Sequence, residues 1–140
     1  MGSDVIKGIH HFALSVPDID DSVSWYSDVL GFAVEREFGF PESGTRIAHL
    51  LHPAGIRIEL LSRPDSTSSP DKNTDTFGAI LTQGAKHMGI LVNDLDAAFA
   101  ALKTKGVSIL QEPMVVEPAG VRNFWITDNA GNQIEFNQPL

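Results

Sequence analysis

The chain reads as an α+β protein made of two tandem copies of one strand–helix–three-strand (βαβββ) unit. Three observations predict this. Shifting the 140-residue sequence by 76 positions lays His11 on His87, Leu14 on Ile90, Val16 on Val92, Asp18 on Asp94 and Asp20 on Asp96. The same shift lays AGIRIEL (54–60) on AGNQIEF (130–136), so that Gly55 meets Gly131 and Glu59 meets Glu135. Between these anchors the apolar spacing passes from strand alternation to a helical period and back, once per copy.

Taken in order, residues 9–16 alternate as a strand, and 20–30 read as a helix. Asp18 or Asp20 can cap its start, Val23, Tyr26 and Leu30 line one face, and Gly31 ends it. Strands follow at about 32–38, 45–51 and 56–61. The second copy repeats the series: a strand at 87–92, a helix over 95–105 closed by Gly106, then strands at 107–111, 121–127 and 132–137. The register slips by one inside the copy, since Gly31 of VLGF meets Gly106 of TKGV at an offset of 75. Residues 63–85 are rich in Ser, Thr, Asp and Pro and form a connector, with Phe77, Ile80 and Leu81 as its docking groups. Loops this long tend to be functional or mobile, and this one is expected to lie over a cavity. The whole, 1–140, is read as a single domain: module 1 at about 8–62, the connector 63–85, and module 2 at about 86–138.

Composition narrows the function. With 42% hydrophobic and 20% charged residues the chain is globular in type. A net charge of −8 argues against nucleic acid or an anionic membrane as the partner. There is no cysteine, hence no disulfide, thiolate nucleophile or Cys-based zinc site. The start, MGSDVIKG, lacks a charged-then-apolar signal pattern, and no apolar run approaches the roughly 20 residues of a membrane span. A cytoplasmic protein is the expectation.

Alternation decides which side chains can meet. His11, Ala13 and Ser15 share a face, opposite His10, Phe12, Leu14 and Val16. His87 shares its face with Gly89, Leu91 and Asn93. Glu59 lies with Gly55, Arg57 and Leu61, and Glu135 with Gly131, Gln133 and Asn137. The histidine-to-glutamate separation is 48 residues in both copies. If first and last strands of a copy are neighbours, each histidine faces its glutamate, and two copies offer two imidazoles and two carboxylates around one point. A lone strand histidine or edge glutamate is more often solvated or structural; four sharing one offset and one face are not independent placements. His10, His49 and His52 lack a histidine in the other copy and are read as structural.

Two imidazoles and two carboxylates suit one borderline divalent ion: Zn²⁺, Ni²⁺, Co²⁺, Mn²⁺ or Fe²⁺. Such an ion, coordinating a carbonyl oxygen, acidifies the adjacent C–H, and a loosened glutamate is a base for that proton.

These stretches resemble a known family. IHHFALSVPDIDDSVSWYSDVLGF, KHMGILVNDLDAAFAALKTKGV and FWITDNAGNQIEF are similar to the motifs of the vicinal oxygen chelate superfamily, the glyoxalase, bleomycin-resistance and dioxygenase group. The resemblance covers nearly all the chain outside 63–85. It implies paired βαβββ modules in a cupped, half-barrel mixed sheet with helices outside, a small-molecule substrate, and a homodimer. By position it implies His11, Glu59, His87 and Glu135 as metal ligands, with Glu135 and Glu59 as the catalytic carboxylates. That set is similar to metal-dependent glyoxalase I and is one residue from methylmalonyl-CoA epimerases, where glutamine usually takes the place of Glu59. Both move a proton beside a metal-bound carbonyl through an enediolate or enolate. Bacterial glyoxalase I of this type carries an arginine where this chain has Ser15, which points away from glutathione. Arg57, Asn123 and Trp125 are candidates for contacting substrate. Two other readings stay open at this stage: an Fe(II) dioxygenase, and a non-enzymatic protein that binds an antibiotic or other small molecule.

Overall fold

The computed structural model describes residues 1–2, 4–72 and 74–140. The chain divides into two compact units, Met1–Ser66 and Thr67–Leu140.

The first unit contains β1 (Phe12–Ser15), α1 (Ile19–Leu30), β2 (Ala33–Phe40), β3 (Thr45–Leu51) and β4 (Arg57–Ser62). Its sheet runs β1-β4-β3-β2, with β1 parallel to β4 and the other pairs antiparallel. Of the two candidate caps, Asp18 starts α1: its carboxylate accepts from the backbone N–H groups of Asp20 (2.9 Å) and Asp21 (3.0 Å). Gly31 stops the helix at φ 76°, a left-handed conformation costly for any residue with a Cβ. The face that α1 buries is Ile19, Ser22 and Tyr26, with Val23 and Leu30 half-buried at its margin. It packs on β3 and β4, whose inner side chains Ala48, Leu50, Ile58 and Leu60 are fully buried.

The second unit contains α2 (Thr76–Ala79), β5 (His87–Leu91), α3 (Leu95–Thr104), β6 (Ser108–Val116), a single 3₁₀ turn (Glu117–Ala119), β7 (Val121–Thr127) and β8 (Gln133–Pro139). Its sheet repeats the first, β5-β8-β7-β6, with β5 parallel to β8. Asp94 caps α3 by accepting from Ala97 N–H at 2.9 Å, as its repeat partner Asp18 caps α1. Leu95 and Leu102, seven residues apart, are the buried stripe of α3. Beneath it Phe124 and Phe136 stack at 4.8 Å, with Phe99 edge-on to Phe124 at 5.2 Å.

The repeat extends to an ion pair that spacing alone did not reveal. Arg46 of β3 grips Asp20 through two bonds of 2.8 Å, and Arg122 of β7 grips Asp96 at 2.8 and 3.0 Å. Hydrogen bonding to the guanidinium holds both carboxyls below the ordinary aspartate range, against a smaller opposing effect of desolvation. Each pair ties the first turn of a helix to the third strand of its unit.

Three expectations are corrected. β1 begins at Phe12, so His11 stands just outside it. β6 continues to Val116 rather than ending near 111, because register shifts between Ile109 and Gln111 and between Gln111 and Met114 break the alternation that would mark it. The connector does not dock through Phe77, Ile80 and Leu81, which are 79%, 60% and 85% exposed. Its single-turn helix α2 has room to bury one apolar side chain, Ala79, and polar bonds do the rest. Thr76 Oγ1 donates to Gln133 Oε1 (3.3 Å), Gln133 Nε2 donates to Thr74 O (3.0 Å), and Lys86 Nζ reaches Asp71 at 2.7 Å. Among the described residues no helix is long and apolar enough to cross a membrane.

Candidate metal centre

In the first unit the parallel register sets Ala13 beside Glu59, which brings His11, two residues earlier on that face, over the same carboxylate. His11 Nε2 lies 3.6 Å from Glu59 Oε1. On the other flank the antiparallel register places His49 directly opposite Glu59, and His49 Nε2 lies 2.6 Å from Oε2. Each glutamate oxygen therefore has an imidazole beside it. His11, His49 and Glu59 each present one ligand atom, all within 4.8 Å of one another. A second contact steadies His11: its Nδ1 lies 2.8 Å from His10 Nδ1. An imidazole that gives its Nε2 lone pair to an ion carries its proton on Nδ1, and His10 is then the acceptor, as outer-shell partners of metal-binding histidines are.

In the second unit β5 and β8 pair Gly89 with Glu135, and His87 Nε2 lies 3.4 Å from Glu135 Oε2. Asn123 Nδ2 donates to Glu135 Oε1 at 2.8 Å, and Gln111 Nε2 donates to Asn123 Oδ1 at 3.0 Å. Trp125, the cross-strand partner of Glu135, sets its ring edge-on to His87 at 4.6 Å. His87 Nδ1 is buried and has no hydrogen-bond partner among the described residues.

The four residues expected as ligands thus occur as two His/Glu half-sites, one per unit, with the glutamate side chains only 17% and 19% exposed. Carboxylates held from water need a compensating partner, and imidazole nitrogens beside them complete a donor set for a divalent ion. The donor set, nitrogen and oxygen without sulfur, fits such an ion. Asn123 and Trp125 stand against Glu135 and His87. Arg57 is engaged elsewhere: Nε and Nη2 donate to Glu35 at 2.6 and 2.8 Å, and Nη1 donates to His10 O at 3.3 Å. That guanidinium holds the Glu35 carboxyl below its usual range, chiefly by hydrogen bonding. A hollow of about 530 Å³ in the first unit, lined by Ile19, Phe40 and Arg46 among others, contains neither His11, His49 nor Glu59.

His10 and His49, read from the sequence as structural, belong to this cluster. A usable signal existed for His49. It lies ten residues before Glu59 as Trp125 lies ten before Glu135, so the offset of 76 that relates the two His/Glu pairs also maps His49 onto Trp125, a candidate for contacting substrate.

Residues 8–136 match the family model of the Glyoxalase/Bleomycin resistance protein/Dioxygenase superfamily. The chain belongs to that superfamily. It is 32% identical to the uncharacterized protein YwkD of Bacillus subtilis (strain 168), over 86% of this chain and 87% of that one. It is 31% identical to the mitochondrial methylmalonyl-CoA epimerase of Mus musculus, over 74% of this chain and 56% of that protein. Its fold is that of a glyoxalase family protein from Enterococcus faecalis, with a TM-score of 0.78 at 21% identity, covering 94% of this chain and 98% of that one.

Proposed function

We propose that this superfamily member is a metal-dependent isomerase or lyase that moves a proton on a carbon next to a carbonyl of a small substrate. His11 with Glu59, and His87 with Glu135, are the metal ligands of this reading, and the two glutamates carry the proton. The observation that supports this most is the repeated half-site: an imidazole Nε2 beside a part-buried carboxylate at 3.6 Å in one unit and 3.4 Å in the other. When bound, the ion supplies Lewis acidity that polarises the carbonyl and acidifies its neighbouring C–H.

The protein's own groups divide the remaining work. Glu135 Oε1 is pinned by the Asn123 amide, which leaves Oε2, on the His87 side, as the oxygen that accepts the proton. Glu59 is flanked on both oxygens and serves to return a proton when the product requires it. Trp125 and the Gln111–Asn123 chain fix the ring and carboxylate they touch, which keeps the base in one geometry. A thioester carbonyl is a reasonable first substrate class, since the mouse relative is named for a coenzyme A thioester.

The test is elemental analysis of purified protein together with solvent-deuterium exchange into a panel of 2-oxo compounds and acyl thioesters. About one divalent ion per chain and metal-dependent deuterium entry are expected. Protein that holds no ion at neutral pH, or turnover that requires O₂, would overturn the reading.

A further inference from the structure

Resting on that reading, we propose that His49 is a further ligand of the ion held by His11 and Glu59, so that the first unit offers three donors.

The backbone register carries the inference. His49 and Glu59 are direct cross-strand partners in an antiparallel pair, so their side chains leave the sheet on the same face. His11 reaches that face from the opposite flank, through the parallel pairing of β1 with β4. The three donor atoms lie within 4.8 Å of one another, with His11 Nε2 and Glu59 Oε1 at 3.6 Å. Neighbouring donors about 2.1 Å from a common ion stand roughly 3.0–3.4 Å apart, so small side-chain adjustments suffice. Two imidazoles and one carboxylate converging from one sheet form a facial donor set of a recognised type.

The surroundings fit nitrogen donors rather than a purely structural histidine. Two imidazole rings flank a single carboxylate, the centroids of His11 and His49 being 5.6 Å apart, and His10 adds a third ring 6.2 Å from His49. Phe38 stands edge-on to His49 at 5.5 Å and closes that side of the ring with hydrocarbon. The second unit marks the contrast. There the residue equivalent to His49 is Trp125, which has no lone pair to give.

The test uses the intact chain loaded with Co²⁺ and followed by proton NMR. Each ligating imidazole then gives a paramagnetically shifted ring N–H signal that vanishes in D₂O. Three such signals are expected, and one should disappear in His49→Gln, with Co²⁺ affinity falling about tenfold or more by chelator competition. Two signals, unchanged by His49→Gln, would make His49 a hydrogen-bonding support of Glu59 and overturn the inference while leaving the four-ligand reading intact. Signals from His11 and His49 that persist in His87→Ala with undiminished affinity would keep the inference and remove His87 from the ligands of that ion. No shifted signals at all would reject both.

Discussion

The two units share a backbone plan and fill it in opposite ways. In the first, the bulk comes from the helix: Tyr26 is fully buried on α1, and the sheet beneath that helix buries the small Ala48 and the aliphatic Leu60. At the equivalent places in the second unit the helix has Leu102, and the sheet supplies Phe124 and Phe136. Aromatic volume has moved from one layer to the other while the space between them stays filled, as close packing demands. The sites diverge in a similar way. Each unit keeps its His/Glu pair, yet Glu59 has His49 opposite it and Glu135 has Trp125. The duplicated register holds the shared pair in place; the residue across from the glutamate is where the units differ in chemistry.

That contrast can be broken most forcefully at the carboxylates. Glu135→Gln should lower metal-dependent deuterium exchange by about 10²–10⁴, because it removes the oxygen assigned as base. Glu59→Gln should cost less, since an amide oxygen remains a donor and the proton is taken on the other side. Equal losses in the two variants, measured under saturating metal, would show that the units do the same work.

The packing contrast comes next in size. Phe124→Ala, at a fully buried aromatic with a stacked partner, should destabilise by about 3–5 kcal/mol. The reverse exchange, Ala48→Phe at the fully buried place equivalent to Phe124, should cost about 1–3 kcal/mol by overpacking. Urea denaturation of both variants measures the difference; a stable Ala48→Phe protein would mean that the first unit has slack where it looks full.

A smaller asymmetry concerns the support of the two histidines. His10→Phe keeps a ring but removes the acceptor for His11, and should weaken metal binding about 10–100-fold. The equivalent residue in the second unit is Lys86, which is bonded to Asp71 and Thr82, so Lys86→Ala should leave metal affinity nearly unchanged. Chelator competition reads both.

The smallest effect tests what the units have in common. Arg46 and Arg122 lower the carboxyl pKa values of Asp20 and Asp96 in the folded protein. Their contribution is therefore complete above the ordinary aspartate pKa and is lost as pH falls through the lowered folded values. Asp20→Asn and Asp96→Asn should each melt slightly below the parent at neutral pH, and the gap should close in acid. A gap that persists unchanged in acid would show that the pairs act through packing rather than charge.

Much of this protein was legible along the chain. Alternation, helical period, the aspartate caps and the glycine stops are local properties, so the order of elements and most of their limits could be read directly. The repeat offset added the four His and Glu residues, because duplication preserves spacing and face together. What spacing could not supply was contact across strands. The position of His49 over Glu59 and the Asn123 bond to Glu135 depend on strand pairing, the engagement of Arg57 by Glu35 reaches across an intervening strand, and the Arg–Asp pairs join a helix to a strand. Pairing register is chosen by the packing of whole faces, and a one-residue slip would send His49 or Asn123 to the opposite side of its sheet. For that reason the paired His and Glu residues could be picked out along the chain, whereas the contacts their neighbours make, and with them the difference between the two half-sites, appeared only in the folded molecule.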